Sequence, residues 1–333
     1  ACHGWPPPDT APGRPAPAWS ADQPLPVVLL SGDLGNHAVG QLLVGVIEAL
    51  DPQAIALQAL CWGPMDDRIG RRVQAALGPR LHRVDTLDDG ACARLIERLG
   101  TVVLVDLGGH TAGSRLRLLA RRPAPVQMSW LGYPGSTGAP EVDYLIGDEQ
   151  VLPRAAWPHL SECALALPVF QPNEPGRWQA GTAAPSPRGG PLVLAAFHRA
   201  VKITPPVFAC WLRILRAVPD SALWLLAESP EQVLNLQQAA GDLAPRLRFW
   251  PRSSVQDYLA RYQLVDLALD TAPFNGGTTS SDALGAGVPL VTWRGDGLAG
   301  RMSASLLMAA GLPEGVCDSL AEYEARAIAW ASD

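Results

Sequence analysis

The sequence predicts an α/β protein made of two successive doubly wound domains, each a parallel sheet with helices on its faces. Three observations carry this. Short, nearly continuous apolar runs alternate with stretches of helical period, as expected of strands buried on both faces of a parallel sheet. The alternation stops once, in a Pro/Gly-rich stretch, and then restarts. The loops after the apolar runs hold Gly, His, Asp and Thr, and in such sheets ligands bind outside the carboxyl ends of strands. At 333 residues and 48% hydrophobic, the chain is long enough for two cored domains.

Residues 1–26 hold eight prolines among Ala, Gly and Ser; they bury too little apolar surface to offset ordering entropy and read as a disordered linker. Apolar runs at 27–30, 55–60, 101–107, 126–131 and 144–146 read as strands of a first Rossmann-like domain over 27–167. Between the first two, Val39, Leu42, Leu43, Val46, Ile47 and Leu50 recur at helical spacing and place a helix over 38–50. Residues 168–191, with Pro172, Pro175, Gly176, Gly181, Pro185, Pro187, Gly189 and Gly190, read as the interdomain segment. In the second domain, 192–333, strands are expected at 192–197, 223–227, 247–250, 264–270 and 289–293. Helices are expected over about 206–218, near 231–240 and from Thr278. No fixed-period repeat runs through these residues.

A net charge of −6 gives no electrostatic reason to expect nucleic acid, whose binders carry a basic surface. No apolar run approaches the roughly 18 residues that span a bilayer, and residues 1–26 lack the basic and apolar regions of a signal peptide. Neither membrane insertion nor secretion is expected. Cys2, Cys61, Cys92, Cys163, Cys210 and Cys317 form no C-x-x-C pair and have no His at metal-ligand spacing. They read as small apolar fillers of a reduced, cytoplasmic protein.

Four loops carry chemistry-bearing residues: 31–37, 108–111, 132–138 and 271–279. The turn Gly276-Gly277-Thr278-Thr279 leads into a helix. It reads as a cradle for a nucleotide diphosphate, held by free N–H groups, or as a tight turn with Thr278 as the helix cap. Lys202, after the strand at 192–197, reads as a charge partner for a departing diphosphate or as a solvated surface lysine. His37 and His110, at strand-to-helix turns, read as hydrogen-bonding or acid–base groups or as capping histidines. Asp33 and Asp106 end strands, where turn-forming aspartates are common. Asp282, one turn into the helix, reads as a ribose or sugar contact or as a complement to the helix dipole.

Taken together, the loops resemble a known family. Residues 122–138, RPAPVQMSWLGYPGSTG, are similar to the long signature of O-linked N-acetylglucosamine transferases and SPINDLY proteins. Residues 33–37 (DLGNH), 201–205 (VKITP), 269–287 (LDTAPFNGGTTSSDALGAG) and 299–305 (AGRMSAS) resemble further segments of that family, in the family's order. The resemblance spans about residues 27–330 and implies a GT-B fold, two Rossmann-like domains facing a central cleft. It implies a UDP-sugar donor held mainly by the second domain, a protein or peptide acceptor, and no obligatory metal. By the same resemblance Lys202 contacts the donor diphosphate, while Thr278, Thr279 and Asp282 contact the nucleotide sugar, with Asn275, Gly276, Gly277, His198 and Arg199 around it. His37 lines the cleft, as do Gly132, Tyr133, Pro134, Gly135 and Tyr258, and the proton acceptor is left between His37 and His110. The sequence departs from the family's usual residues at Gln41, His198, Tyr258 and Gly277. The expected activity is inverting transfer of N-acetylglucosamine to Ser or Thr hydroxyls. The rival expectations are fucose transfer from GDP-fucose, as in SPINDLY proteins, and a silent relative that binds nucleotide sugar or a partner protein.

Overall fold

A computed structural model describes residues 19–179 and 190–332. The chain divides into two compact units, Ala1–Glu174 and Pro175–Asp333. In the first unit the elements run β1 (Leu25–Ser31), α1 (Ala38–Ala49), β2 (Ile55–Cys61), α2 (Arg68–Leu77), β3 (Leu81–Arg83), α3 (Asp89–Arg98), β4 (Val103–Asp106), α4 (Leu116–Leu119), β5 (Val126–Ser129), β6 (Tyr144–Gly147) and β7 (Cys163–Ala166). All seven strands are parallel, in the order β3-β2-β1-β4-β5-β6-β7. Strand order reverses between β1 and β4, which makes that gap the switch point where ligands bind in such sheets.

The second unit runs α5 (Gly176–Gln179), β8 (Leu192–Ala196), α6 (Pro205–Ala217), β9 (Ser221–Ala227), α7 (Pro230–Ala240), β10 (Leu247–Pro251), α8 (Val255–Tyr262), β11 (Leu267–Leu269), α9 (Thr278–Gly285), β12 (Leu290–Trp293), α10 (Met302–Ala309), β13 (Val316–Cys317) and α11 (Leu320–Ser332). Its parallel order, β10-β9-β8-β11-β12-β13, reverses between β8 and β11. Alternate strand residues feed two cores. Leu194, Ala196, Leu223, Leu225, Leu267 and Leu269 pack on Trp211 and Leu215 of α6 and on Tyr323 and Ala327 of α11. Val193, Ala195, Ala268 and Leu290 pack the other way, on Tyr262, Ala283 and Leu307. Helices on both faces are why these strands read as unbroken apolar runs.

The expected elements differ from the structure mainly at their ends. The first strand begins at Leu25, and Pro26 O accepts a bond from Val102 N–H (3.0 Å), so the last residues assigned to the linker belong to the sheet. Residues 1–18 of that stretch lie outside the described residues. The run at 264–270 yields only Leu267–Leu269, because Leu264 and Val265 N–H groups bond back to Arg261 and Tyr262 at the end of α8. The run at 126–131 stops at Ser129, since Leu131 takes a left-handed φ of 72°.

The described parts of 168–191 are packed rather than extended. Phe170 and Gln171 are buried, Phe170 N–H donates to Asp148 (2.7 Å), and Glu174 pairs with Arg72 (3.2 Å) in the first unit. Residues 175–179 belong to the second unit, where Trp178 lies against Gly285 with no room for a Cβ between them. Residues 180–189 lie outside the described residues.

Candidate active site

The candidate residues gather in two groups, one at the switch point of each sheet, and each group is described within its own unit. In the second unit β8 leads to His198, Arg199 and Lys202, and β11 leads to Asp270 and the loop that enters α9. Asp270 organises this region, although sequence reasoning gave it no role. Its Oδ1 accepts from Gly276 N–H (2.7 Å) and Thr271 N–H (2.8 Å), and its Oδ2 from Thr292 Oγ1 (2.6 Å). The signal was present: an acid ending an apolar strand that faces a glycine loop must be satisfied by that loop's N–H groups.

Lys202 lies half-buried with Nζ donating to Asn275 O (2.7 Å) and resting 3.9 Å from the centre of the Phe274 ring. Burial, partly offset by Asp270, pulls its ammonium down to about 8. This is not a freely solvated lysine. Asn275 is fully buried and acts as a brace, with Nδ2 donating to Thr271 O (2.8 Å) and its backbone carbonyl holding Lys202.

The cap position falls on Gly277, so Thr278 is the first helical residue of α9 and not its cap. No side chain caps the helix, and its first-turn N–H groups point at whatever sits before it. Gly276 is needed here: a Cβ would collide with Thr279 Oγ1 and Ser280 Oγ, and Ser303 Oγ donates to its carbonyl (2.9 Å).

His198 is buried, with Nε2 3.5 Å from Asp270 and Nδ1 3.2 Å from Thr279 Oγ1. Burial pushes it down to about 4, so it is neutral at pH 7 and orients Thr279 from behind the loop. Arg199 is exposed and pairs with Glu228 (3.4 Å), which also takes Arg252 (2.7 Å). Within the described residues Arg199 is thus engaged with Glu228, and His198 with Asp270 and Thr279.

Asp282 has a charged partner within its own unit. It is buried and gripped by Arg177, whose Nη2 donates to Oδ2 (2.9 Å) while Nε lies 2.9 Å from Oδ1. Burial, countered in part by Arg177, raises the carboxyl to about 6. Its charge is therefore spent within the protein, and Arg177, hidden in the Pro/Gly-rich stretch, was not legible as its partner. Tyr258 stands beside this pair, its hydroxyl 3.1 Å from that of Tyr262 and its ring edge-on to Phe197; Tyr262 OH donates to Thr279 O (3.1 Å).

In the first unit His37 caps α1, with Nδ1 accepting from Val39 N–H (3.3 Å) and lying 3.8 Å from Asp33. Asn36 Oδ1 accepts from Gln41 (2.8 Å) in the same loop. After β4, buried Asp106 accepts from Gly109 N–H (2.7 Å), fixing the turn that carries His110, and burial raises its own carboxyl. His110 Nε2 is 2.6 Å from Thr137 O, and its ring meets Tyr133 edge-on at 5.1 Å. The loops after β4 and β5 are thus stitched together. Glycine is required at two points: Gly109 has φ of 53° and no room for a Cβ beside Tyr133, and a Cβ on Gly132 would collide with Leu107 O. Pro134 and Gly135 are half-exposed beside Tyr133. Glu162, also unread in the sequence, holds Thr137 and Ser136 from below. Among the described residues no three His, Cys, Asp or Glu side chains gather as a metal ion would require.

Comparison with known proteins agrees with this architecture. Over 98% of the chain, 31% of residues are identical to a probable UDP-N-acetylglucosamine–peptide N-acetylglucosaminyltransferase, SEC, of Arabidopsis thaliana. A SPINDLY protein of the same plant, given the same probable activity, is 35% identical over 74% of the chain. The chain spans 35% and 28% of the lengths of these two relatives. The solved structure of a mutant O-GlcNAc transferase from Thermobaculum terrenum superposes with a TM-score of 0.86 at 35% identity, over 96% of this chain and 63% of that one. A glycosyltransferase from Rickettsia africae, at TM-score 0.55 and 8% identity over 93% of each chain, shares the fold alone. The two Rossmann-like units are those of a GT-B fold. The sequence pattern of glycosyl transferase family 41 matches residues 14–169 and 187–333, and the chain belongs to that family.

Proposed function

We propose that the protein is an inverting glycosyltransferase that moves N-acetylglucosamine from a UDP-sugar to Ser or Thr hydroxyls of a protein or peptide. The observation that carries this is the pairing of Lys202 with the uncapped start of α9 at one switch point. In-line attack of the acceptor hydroxyl on the anomeric carbon releases a nucleoside diphosphate, and negative charge grows on its oxygens. A partly desolvated ammonium and the aligned N–H groups of a helix start stabilise such charge without having to reorganise. Asp270, Asn275 and Ser303 hold these donors in place before any charge develops.

The relatives named above favour the uridine donor over GDP-fucose and over a silent binding role. No helix of the described residues is long and apolar enough to cross a membrane. The five described cysteines are buried thiols, which supports a reduced, cytoplasmic setting. The test is donor hydrolysis by the purified chain. Steady consumption of UDP-N-acetylglucosamine, well above that of GDP-fucose, is the expected result. Preference for GDP-fucose, or turnover of neither donor, would refute the assignment.

A further inference from the structure

Two imidazoles stand at the switch point of the first sheet, and their hydrogen bonds place the ring proton to different effect. His37 Nδ1 accepts from Val39 N–H, so a neutral His37 carries its proton on Nε2 and has its lone pair committed to the cap. His110 Nε2 faces the carbonyl of Thr137 at 2.6 Å. A carbonyl can only accept, so Nε2 carries the proton and the lone pair of the neutral ring lies on Nδ1. No described residue bonds that Nδ1, and the imidazole is exposed.

The carbonyl is itself held in place. Glu162, 3% exposed, accepts through Oε1 from Thr137 N–H (2.6 Å) and from Thr137 Oγ1, and through Oε2 from Ser136 Oγ (2.7 Å). Tyr133 stands edge-on to the imidazole and limits its rotation, and Asp106 fixes the turn beneath it. A buried carboxylate that orients a base through a hydrogen bond is a recurring arrangement in acid–base catalysis; here one residue, Thr137, lies between them, bonded to Glu162 through its N–H and hydroxyl and to His110 through its carbonyl.

We propose that Glu162 is a positioning residue which, through Thr137, fixes His110 with its proton on Nε2, so that His110 Nδ1 takes the acceptor hydroxyl's proton. This rests on the sugar-transfer reading above. In the step, the hydroxyl oxygen bonds to the anomeric carbon, and the bond from that carbon to the diphosphate oxygen breaks. The electron pair of that bond leaves with the nucleoside diphosphate. The hydroxyl proton moves to Nδ1, and the resulting imidazolium returns it to solvent. In donor hydrolysis, water takes the place of the hydroxyl.

The test joins nitrogen-15 NMR of the His110 ring with hydrolysis of UDP-N-acetylglucosamine by the full chain. The wild type should show a single Nε2–H tautomer in the neutral ring. Glu162→Gln should remain folded, keep its donor KM within about twofold, lose about tenfold in kcat, and show a mixture of tautomers; His110→Ala should lose about a hundredfold. If Glu162→Gln fails to fold, Thr137→Val removes the hydroxyl bond to the carboxylate, with the bond that hydroxyl accepts from Ala139 N–H, and should lower kcat by several-fold at unchanged KM. An active wild type with the proton on His110 Nδ1, or a folded Glu162→Gln with wild-type kcat, overturns this proposal and leaves the transfer reading standing. A chain that hydrolyses no donor overturns the transfer reading and this step with it, whatever the tautomer.

Discussion

Replacing Lys202 with Ala separates its chemical role from its packing role. Its ammonium donates one hydrogen bond to Asn275 O and lies over Phe274. The bond contributes about 1 kcal/mol and the ring contact about 0.5–1 kcal/mol. Truncation should therefore destabilise the second unit by about 1–2 kcal/mol, lowering its melting point by about 3–6 °C and leaving it folded at 25 °C. Catalysis should suffer more. A unit charge about 4 Å from a phosphate oxygen, at an effective dielectric of about 20, interacts by about 4 kcal/mol. Loss of one such donor in a protected site typically costs about 3–4 kcal/mol, or a hundred- to thousandfold in kcat. The assay is steady-state hydrolysis of UDP-N-acetylglucosamine beside a calorimetric melt. Because the charge develops mainly in the transition state, kcat should fall far more than donor affinity. A folded variant with wild-type kcat, or a loss confined to KM, would show that Lys202 does not stabilise the departing diphosphate.

Three further outcomes follow from the same geometry. Lys202 is charged below its value of about 8, so kcat/KM for the donor should fall as pH rises through that value; a flat profile to about pH 9.5 would contradict it. Gly109→Ala places a Cβ against Tyr133 at a left-handed φ and should lower stability by at least about 1 kcal/mol, read from the urea midpoint; an unchanged midpoint would show that the two loops are not locked together. Arg177→Ala strands the buried Asp282 carboxylate and should cost about 3–5 kcal/mol, with Asp282→Asn in the same chain recovering part of it; additive losses would argue that the pair is not coupled.

The central strands were legible because burial on both faces leaves a continuous apolar run, as in β1, β2, β8 and β9. The edge strands β3 and β7 and helices α2 and α3 were not. β3 is a three-residue strand with no fully buried position, and α2 is a ten-residue helix whose buried apolar stripe is only Ile69, Val73 and Leu77, interspersed with three arginines. The ligand-bearing loops stood out because glycine, histidine and threonine followed strands directly. What those residues do depended on partners far along the chain. Asp282 looked available until Arg177, 105 residues away in sequence, was seen to neutralise it. The partners of His198 and Arg199, Asp270 and Glu228, lie 72 and 29 residues further along the chain and could not be read locally. Glu162, 25 residues from Thr137, carries no local signature at all. Periodicity reports burial, whereas a buried polar partner is fixed by topology.

The central claim, that the loop from Asp270 into α9 holds the diphosphate of a uridine nucleotide, is tested most directly by titrating nitrogen-labelled protein with UDP and following its amide signals. Saturable binding is expected, with the largest shifts at Gly276, Gly277, Thr278 and Thr279 and a matching weakening of affinity as salt is raised. Binding that leaves these amides unmoved while shifting others would contradict it.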